Sequence, residues 1–299
     1  MTRAFRAAAA ALLALVLLPA CGGGGGGSGS GGGKTIVVGS ANFPENVLLA
    51  EMYAQALEAK KFTVDRKLNI GAREIIYKQI QSGGLSLLPE YNGALLAYLD
   101  KTNEATSTAD VNTALTSKLP KELELLESSK AEDKDSLNVT KETADKNNLK
   151  SIEDLKATAK DLVIGGPPEF KTRRQGLVGL KDVYGLDFKE FRSLDVAGPV
   201  TVAALKKGDI QVANLFTTDP SIAVNNFVVL EDPKNLFSAQ NVTPLVYKSA
   251  VNDEARTALN AVSAKLDTPT LTQLMEKVAV DKQDPDKVAK DWLKSNSLA

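Results

Sequence analysis

The sequence predicts an α/β protein built as two lobes, and three observations carry that prediction. Thr35-Ile36-Val37-Val38-Gly39, a helix beginning at Pro44 and a run from Phe62 to Ile70 read as strand, helix, strand. A second unit of the same kind follows a polar stretch, between Leu162 and Ala213. The C-terminal third is helical, with clear helix-start residues.

Each element has a local reason. The opening strand is a β-branched run closed by glycine, as a buried strand requires. Pro44 suits the first helical position and Glu45 the positive helix start, while Leu49, Met52, Tyr53 and Ala56 fall on one helical face. Arg73 to Gln81 reads as helix, Leu85 to Leu88 as a short apolar run, and Pro89 to Gly93 as a turn before a helix over 94–99. In the second unit a strand from Leu162 to Gly165 leads through Pro167-Pro168 to a helix over 171–184. A strand over 192–195, a helix over 199–207 and a strand over 210–213 follow. Thr268-Pro269 and Asp284-Pro285 each place a capping residue before a first-turn proline, and Trp292 reads as a packing anchor on the last helix.

Composition narrows the chemistry. The 299 residues are 43% hydrophobic and 24% charged, enough for one or two packed domains. Histidine is absent, which removes Ser-His-Asp and Cys-His catalysis, His-ligated zinc and haem, and imidazole switching. Thirty-six Lys and Arg against 37 Asp and Glu, interspersed to a net charge of -1, argue against nucleic acid as a partner. The body contains no G-x-S-x-G, S-x-x-K, Walker or G-x-G-x-x-G pattern. The acidic neighbours Glu132 and Asp133, Glu231 and Asp232, and Asp284 and Asp286 read as solvated surface.

The N-terminus has a processing pattern of its own. Arg3 and Arg6 precede an apolar run from Ala7 to Leu18 that is too short to span a membrane. Leu18-Pro19-Ala20-Cys21 resembles a bacterial lipobox, which predicts a signal peptide over 1–20 and lipid on Cys21; a plain signal peptide with an incidental cysteine is the alternative. Residues 22–33 are all Gly or Ser, a flexible tether of roughly 20 Å root-mean-square span. The folded body then runs from Lys34 to Ala299.

Candidate binding segments lie after strands, where open α/β sheets hold ligands. They are Ser40-Ala41-Asn42-Phe43, Pro89-Glu90-Tyr91-Asn92-Gly93, Glu169-Phe170 with Arg173, and Phe216-Thr217-Thr218-Asp219-Pro220. Each alone is compatible with a capping or turn role; together they mark two facing lobes.

At these residues the chain resembles the substrate-binding proteins of glycine betaine, choline and related osmoprotectant ABC transporters. The matching stretches include Val38-Gly39-Ser40-Ala41-Asn42-Phe43-Pro44-Glu45, Leu88-Pro89-Glu90-Tyr91-Asn92-Gly93 and Pro168-Glu169-Phe170-Lys171-Thr172-Arg173. Gly176 to Leu180 through Tyr184-Gly185, Phe216 to Pro220 and Val228 to Pro233 continue the match in the same order. The resemblance implies a type II periplasmic-binding-protein fold with two hinge crossings. One lobe would comprise 34–138 and 242–299, the other 139–241. It implies a lipid-anchored monomer on the extracytoplasmic face that needs no cofactor or metal, is no enzyme, and delivers a small solute to a permease with a separate ATPase.

On that template Asn42, Phe43, Asn46, Tyr91 and Asn92 line one wall of the cleft. Arg173, Thr217, Thr218, Asp219 and Asn241 approach from the second lobe or the crossing. Relatives that bind quaternary ammonium compounds cage the cation with aromatic faces. Tyr91 matches one cage position, Asp135 falls where many relatives carry a second cage tyrosine, and Gln240-Asn241-Val242-Thr243-Pro244 replaces a tyrosine pair before proline. The cage is therefore depleted, which points to weak betaine binding or to another small polar or cationic solute. Arg173 has two readings, a clamp on a ligand carboxylate or a bridge to Glu169 or Asp219. Two rivals remain: a solute-sensing receptor domain with this fold, and an extracytoplasmic enzyme, for which no activated nucleophile or metal set is visible.

Overall fold

Two five-stranded sheets organise residues 35–299, the part of the chain that the computed structural model describes. The expected signal peptide, the lipid-bearing Cys21 and the Gly/Ser tether lie outside the described residues. The strands are β1 (Ile36–Ala41), β2 (Val64–Gly71), β3 (Leu87–Tyr91), β4 (Leu123–Leu125), β5 (Asp135–Val139), β6 (Val163–Gly166), β7 (Glu190–Ser193), β8 (Val212–Phe216), β9 (Val228–Val229) and β10 (Val242–Tyr247). The helices are α1 (Pro44–Ala59), α2 (Arg73–Gln81), α3 (Asn92–Leu99), α4 (Thr108–Lys118), α5 (Lys141–Asn147), α6 (Leu177–Tyr184), α7 (Pro199–Lys207), α8 (Ser221–Val224), α9 (Asp253–Lys265), α10 (Thr268–Ala279) and α11 (Pro285–Ser295).

The sheets share one plan. The first has the order β2-β1-β3-β10-β4, with β1 parallel to β2 and β3, and β10 antiparallel to β3 and β4. The second has the order β7-β6-β8-β5-β9, with β6 parallel to β7 and β8, and β5 antiparallel to β8 and β9. The chain leaves the first sheet after β4, enters the second through β5 and returns through β10. The two crossings lie antiparallel side by side: the Asp133 amide donates to the Gln240 carbonyl (3.1 Å) and the Val242 amide to the Ala131 carbonyl (3.0 Å). Asp135–Val139 belongs wholly to the second sheet, so the first crossing ends before Asp135 and not at 138.

Helices cover both faces of the first sheet. Leu48, Tyr53, Leu259, Leu271 and Trp292 form the core beneath α1, α9, α10 and α11. Ile76, Ile80, Leu95 and Leu115 from α2, α3 and α4 fill the opposite face. Sandwiched between sheet and C-terminal helices, α1 buries eleven of its sixteen residues, more than the single face formed by Leu49, Met52, Tyr53 and Ala56. Trp292 is buried in this core as a packing residue.

Three local expectations give way to longer-range structure. Pro89 to Tyr91 is strand and not turn: Pro89 stands opposite Pro244 of β10, a pairing in which neither residue has an N–H to leave unpaired. The helix expected over 171–184 is a 3₁₀ turn at Pro168–Lys171 followed by α6 from Leu177. Gly176 separates them because a Cβ there would lie 2.1 Å from the Phe170 carbonyl oxygen. The cap of α10 is Asp267, which accepts from the Thr270 amide; Thr268 instead accepts from the Glu132 amide (2.9 Å) and ties α10 to the first crossing.

Gly93 marks the closest approach of α3 to the segment entering the second crossing. A Cβ built there would sit 2.1 Å from the Ala239 carbonyl oxygen. Gly93→Ala is expected to cost about 1–3 kcal/mol through overpacking, read as a lower urea midpoint at unchanged slope. A variant as stable as the parent contradicts that contact.

Candidate functional site

The carboxyl ends of the parallel strands in both sheets face each other across a cleft, the position that open α/β sheets reserve for ligands. From the first lobe β1 delivers Asn42 and Phe43, and β3 delivers Glu90 and Tyr91; α2 adds Arg73. From the second lobe β5 brings Asp135, the turn after β6 brings Glu169 and Arg173, and β8 brings Asn214 and Phe216. Asp133 and Gln240, one from each crossing, close the base. The lobes are shut on one another and leave about 60 Å³ free between them, little more than room for a few waters.

Aromatic residues form one wall and not a cage. Phe43 lies between Tyr91 (ring centroids 6.0 Å apart) and Phe216 (5.2 Å), so the rings contact one another across the lobes. The remaining lining is charged. Arg73 grips Glu90 through two bonds, Nε to Oε1 and Nη2 to Oε2, both 2.9 Å. Glu90, only 2% exposed, also accepts from the Tyr91 amide. Arg173 reaches across the cleft to Glu74 of α2 with a second bidentate pair, 3.0 and 2.9 Å. Burial of Glu74 pushes its pKa up, but the Arg173 bonds outweigh it and hold the carboxyl below its ordinary value. Asp135 shifts the other way, raised by burial although the Asn214 amide (2.9 Å) and the Arg173 charge oppose the rise.

Beside the cavity the lobes meet over two buried acids. Tyr91 Oη donates to Glu45 Oε1 (2.7 Å), and the Thr218 hydroxyl lies in hydrogen-bond contact with both Glu45 Oε2 and Asp133 Oδ1. Thr218 has one hydroxyl proton and cannot donate to two carboxylates, so the contact needs a proton held by an acid. Burial, then the Glu45 charge, raises Asp133 well above its ordinary value, and burial raises Glu45. Burial also raises Tyr91, which therefore stays a phenol donor.

Six of the residues expected at the site line the cavity: Asn42, Phe43, Asn46, Tyr91, Asp135 and Arg173. Asn46 is also fixed structurally, accepting from the Ala41 amide and donating to the Pro89 carbonyl, which clamps β1 to β3. Arg173 bridges to Glu74 and not to Glu169 or Asp219. Five expected residues stand outside the cavity lining because their polar groups serve the crossings and turns. Asn92 donates to Asn112 and accepts from the Gly93 and Asn241 amides. Asn241 accepts from Thr108 and donates to the Ser129 carbonyl. Thr217 accepts from the Lys134 amide, Thr218 joins the acid pair, and Asp219 accepts from the Ser221 amide at the start of α8.

The structure adds Arg73, Glu90, Asp133 and Asn214 to the lining. Glu169, Phe216 and Gln240 lie in stretches the sequence singles out, whereas Asp133 is 2% exposed and not solvated surface. Glu90 also lies in a stretch the sequence singles out, but no local pattern marks Arg73, Asp133 or Asn214 as cavity residues. Among the described residues no group of three or more His, Cys, Asp or Glu could hold a metal ion, and no helix is long and apolar enough to cross a membrane.

Comparison with known proteins agrees with this architecture. The family model for the substrate binding domain of ABC-type glycine betaine transport systems matches residues 34–295. The chain is 28% identical over 274 residues to the glycine betaine-binding protein YehZ of Escherichia coli (strain K12), covering 87% of this chain and 90% of that one. It is 26% identical over 270 residues to the ergothioneine transport permease/ergothioneine binding protein EgtU of Helicobacter pylori (strain G27), covering 89% of this chain and 48% of that one. The crystal structure of a glycine betaine/carnitine/choline ABC transporter superposes with a TM-score of 0.69 at 23% identity, over 88% of this chain and 99% of that one. The shared architecture is the type II periplasmic-binding-protein fold expected from the sequence. Since the family match runs from the first strand through the last helix, the chain belongs to the substrate-binding domains of ABC-type glycine betaine transport systems, a family of solute binders and not of enzymes.

Proposed function

We propose that the chain captures a small organic cation or zwitterion, of the glycine betaine, choline and osmoprotectant kind, and presents it to an ABC permease driven by a separate ATPase. The observation that carries this reading is the charged cleft between the lobes, with one aromatic wall and a surplus of carboxylates. Glu90, Asp135 and Glu169 line it against Arg73 and Arg173, and each arginine is already paired with a carboxylate. Relatives named for glycine betaine and for ergothioneine support a solute of this size and charge. Asn42, Phe43, Asn46, Tyr91, Asp135 and Arg173 are the proposed contacts.

The mechanism is closure. The Arg173–Glu74 pair and the Thr218–Glu45 contact join the lobes directly, and opening must break both. A solute that gains contacts from both lobes shifts the population toward the closed form by its differential affinity. Lipid on Cys21 and the Gly/Ser tether would hold a monomer at the extracytoplasmic face, free to turn toward its permease.

Thermal-shift and calorimetric titration of the purified protein against osmolytes, amines, amino acids, sugars and organic anions tests the reading. A cationic or zwitterionic solute at a hundred times its Kd is expected to add about 2.7 kcal/mol of stability. Stabilisation by sugars or dianions alone would overturn it.

A further inference from the structure

We infer that the cleft selects cations that carry N–H donors over fully methylated ones, with Asp135 and Glu169 as the acceptors. The inference rests on the reading above that the solute is a small organic cation or zwitterion, and it narrows that class by hydrogen-bonding chemistry.

Residues that line the cavity carry buried polar atoms of both kinds that the protein leaves unmatched. Glu169 Oε2 is buried and has no hydrogen-bond partner. Asp135 lines the same cavity and commits Oδ1 to the Asn214 amide; its second oxygen makes no hydrogen bond, although the Gln240 amide also acts on the carboxyl. Both arginines of the lining are held in bidentate pairs by Glu90 and Glu74, and neither makes a hydrogen bond to Asp135 or Glu169. Gln240, 3% exposed, contributes an unpartnered Nε2 donor from the second crossing. A solute with N–H groups at its cationic end and an oxygen acceptor nearby matches all three.

A trimethylated nitrogen brings the same charge but no N–H. It leaves the buried Glu169 oxygen unpaired, the costly half of a broken charged hydrogen bond. Aromatic faces could compensate only by surrounding the cation, and Phe43, Tyr91 and Phe216 pack against one another in tilted pairs along one side. Asp135 in the lining offers a directional acceptor and no ring face.

Calorimetry with two matched pairs tests the inference: N,N-dimethylglycine against glycine betaine, and N,N-dimethylethanolamine against choline. Each pair differs by one methyl group in place of one N–H. In the parent protein the N–H member is expected to bind about tenfold or more tightly. In Glu169→Ala the ratio is expected to fall toward one, and in Asp135→Asn, which keeps the carbonyl acceptor for Asn214, to fall part of the way. The ratio in the parent decides the matter even where a variant does not fold. Equal or tighter binding of the trimethylated member overturns the selectivity and leaves the proposed function standing. Binding of none of the four overturns both.

Discussion

Arg73→Ala is expected to lower the unfolding free energy by about 3–5 kcal/mol at neutral pH, because it strands a buried carboxylate. Glu90 lies on β3, inside the first sheet, 2% exposed, and its two oxygens receive the Arg73 fork and the Tyr91 amide. With the guanidinium gone, one backbone N–H remains to balance a full charge in a site closed by Ile76, Ala94 and the opposite lobe. The loss is large against a typical total of roughly 5–15 kcal/mol. Removing the charge as well should repair much of it: in Arg73→Ala/Glu90→Gln the amide still accepts from Tyr91, and the double variant is expected to recover more than half of the single-variant loss. Urea unfolding of the parent, both single variants and the double variant gives the coupling directly. Additive losses, with the double variant weaker than Arg73→Ala alone, would show that Glu90 does not depend on Arg73.

That pair also shows where sequence reading reaches and where it stops. Arg73–Gln81 and Pro199–Lys207 were legible residue for residue, since each helix announces itself through local spacing and end residues. The first strand and the start of α1 were legible for the same reason. β5 and β10 were not: β5 is mostly polar, the β-branched residues of β10 are interrupted by Pro244, which argues against a strand, and a crossing delivers them against β8 and β3. The same distinction governs the site. Family resemblance named Phe43, Tyr91, Asp135 and Arg173, which line one cavity, but the Arg173 partner is Glu74, ninety-nine positions away. Glu132 and Asp133 look alike in sequence, yet alternation along the paired crossings leaves Glu132 partly exposed beside Lys134 and turns Asp133 inward to Thr218. Burial decided by a neighbour distant in sequence leaves no local trace.

The acid pair at the hinge is expected to make the closed fold lose stability as pH rises, with Asp133→Asn removing the dependence. Asp133 and Glu45 share the single hydroxyl proton of Thr218, and Tyr91 satisfies the remaining Glu45 oxygen, so the arrangement fits one retained acid proton and not two carboxylates. Burial raises both groups above their ordinary values of 3.8 and 4.5, and the Asp219 charge adds to the rise at Glu45. An acid raised in the folded state binds its proton more tightly there than in the unfolded chain. Its stabilisation is complete below the ordinary value and is lost as pH climbs through the raised one. One proton gives a slope of about 1.4 kcal/mol per pH unit at most. Lowered acids such as Glu74 and Asp100 act in the opposite direction and lose their contribution as pH falls, so the parent curve alone mixes the two effects. The difference between parent and Asp133→Asn isolates the pair, because asparagine keeps the Oδ1 acceptor for Thr218 and supplies an N–H in place of the acid proton. Urea unfolding at steps between pH 5 and 8.5 is expected to show the variant gaining on the parent as pH increases. Parallel curves would place no proton in the hinge. Opening the lobes hydrates the same two acids and lets both ionise, so the linkage that stabilises the fold at lower pH also favours closure, and solute affinity is expected to weaken with rising pH in the parent but not in Asp133→Asn.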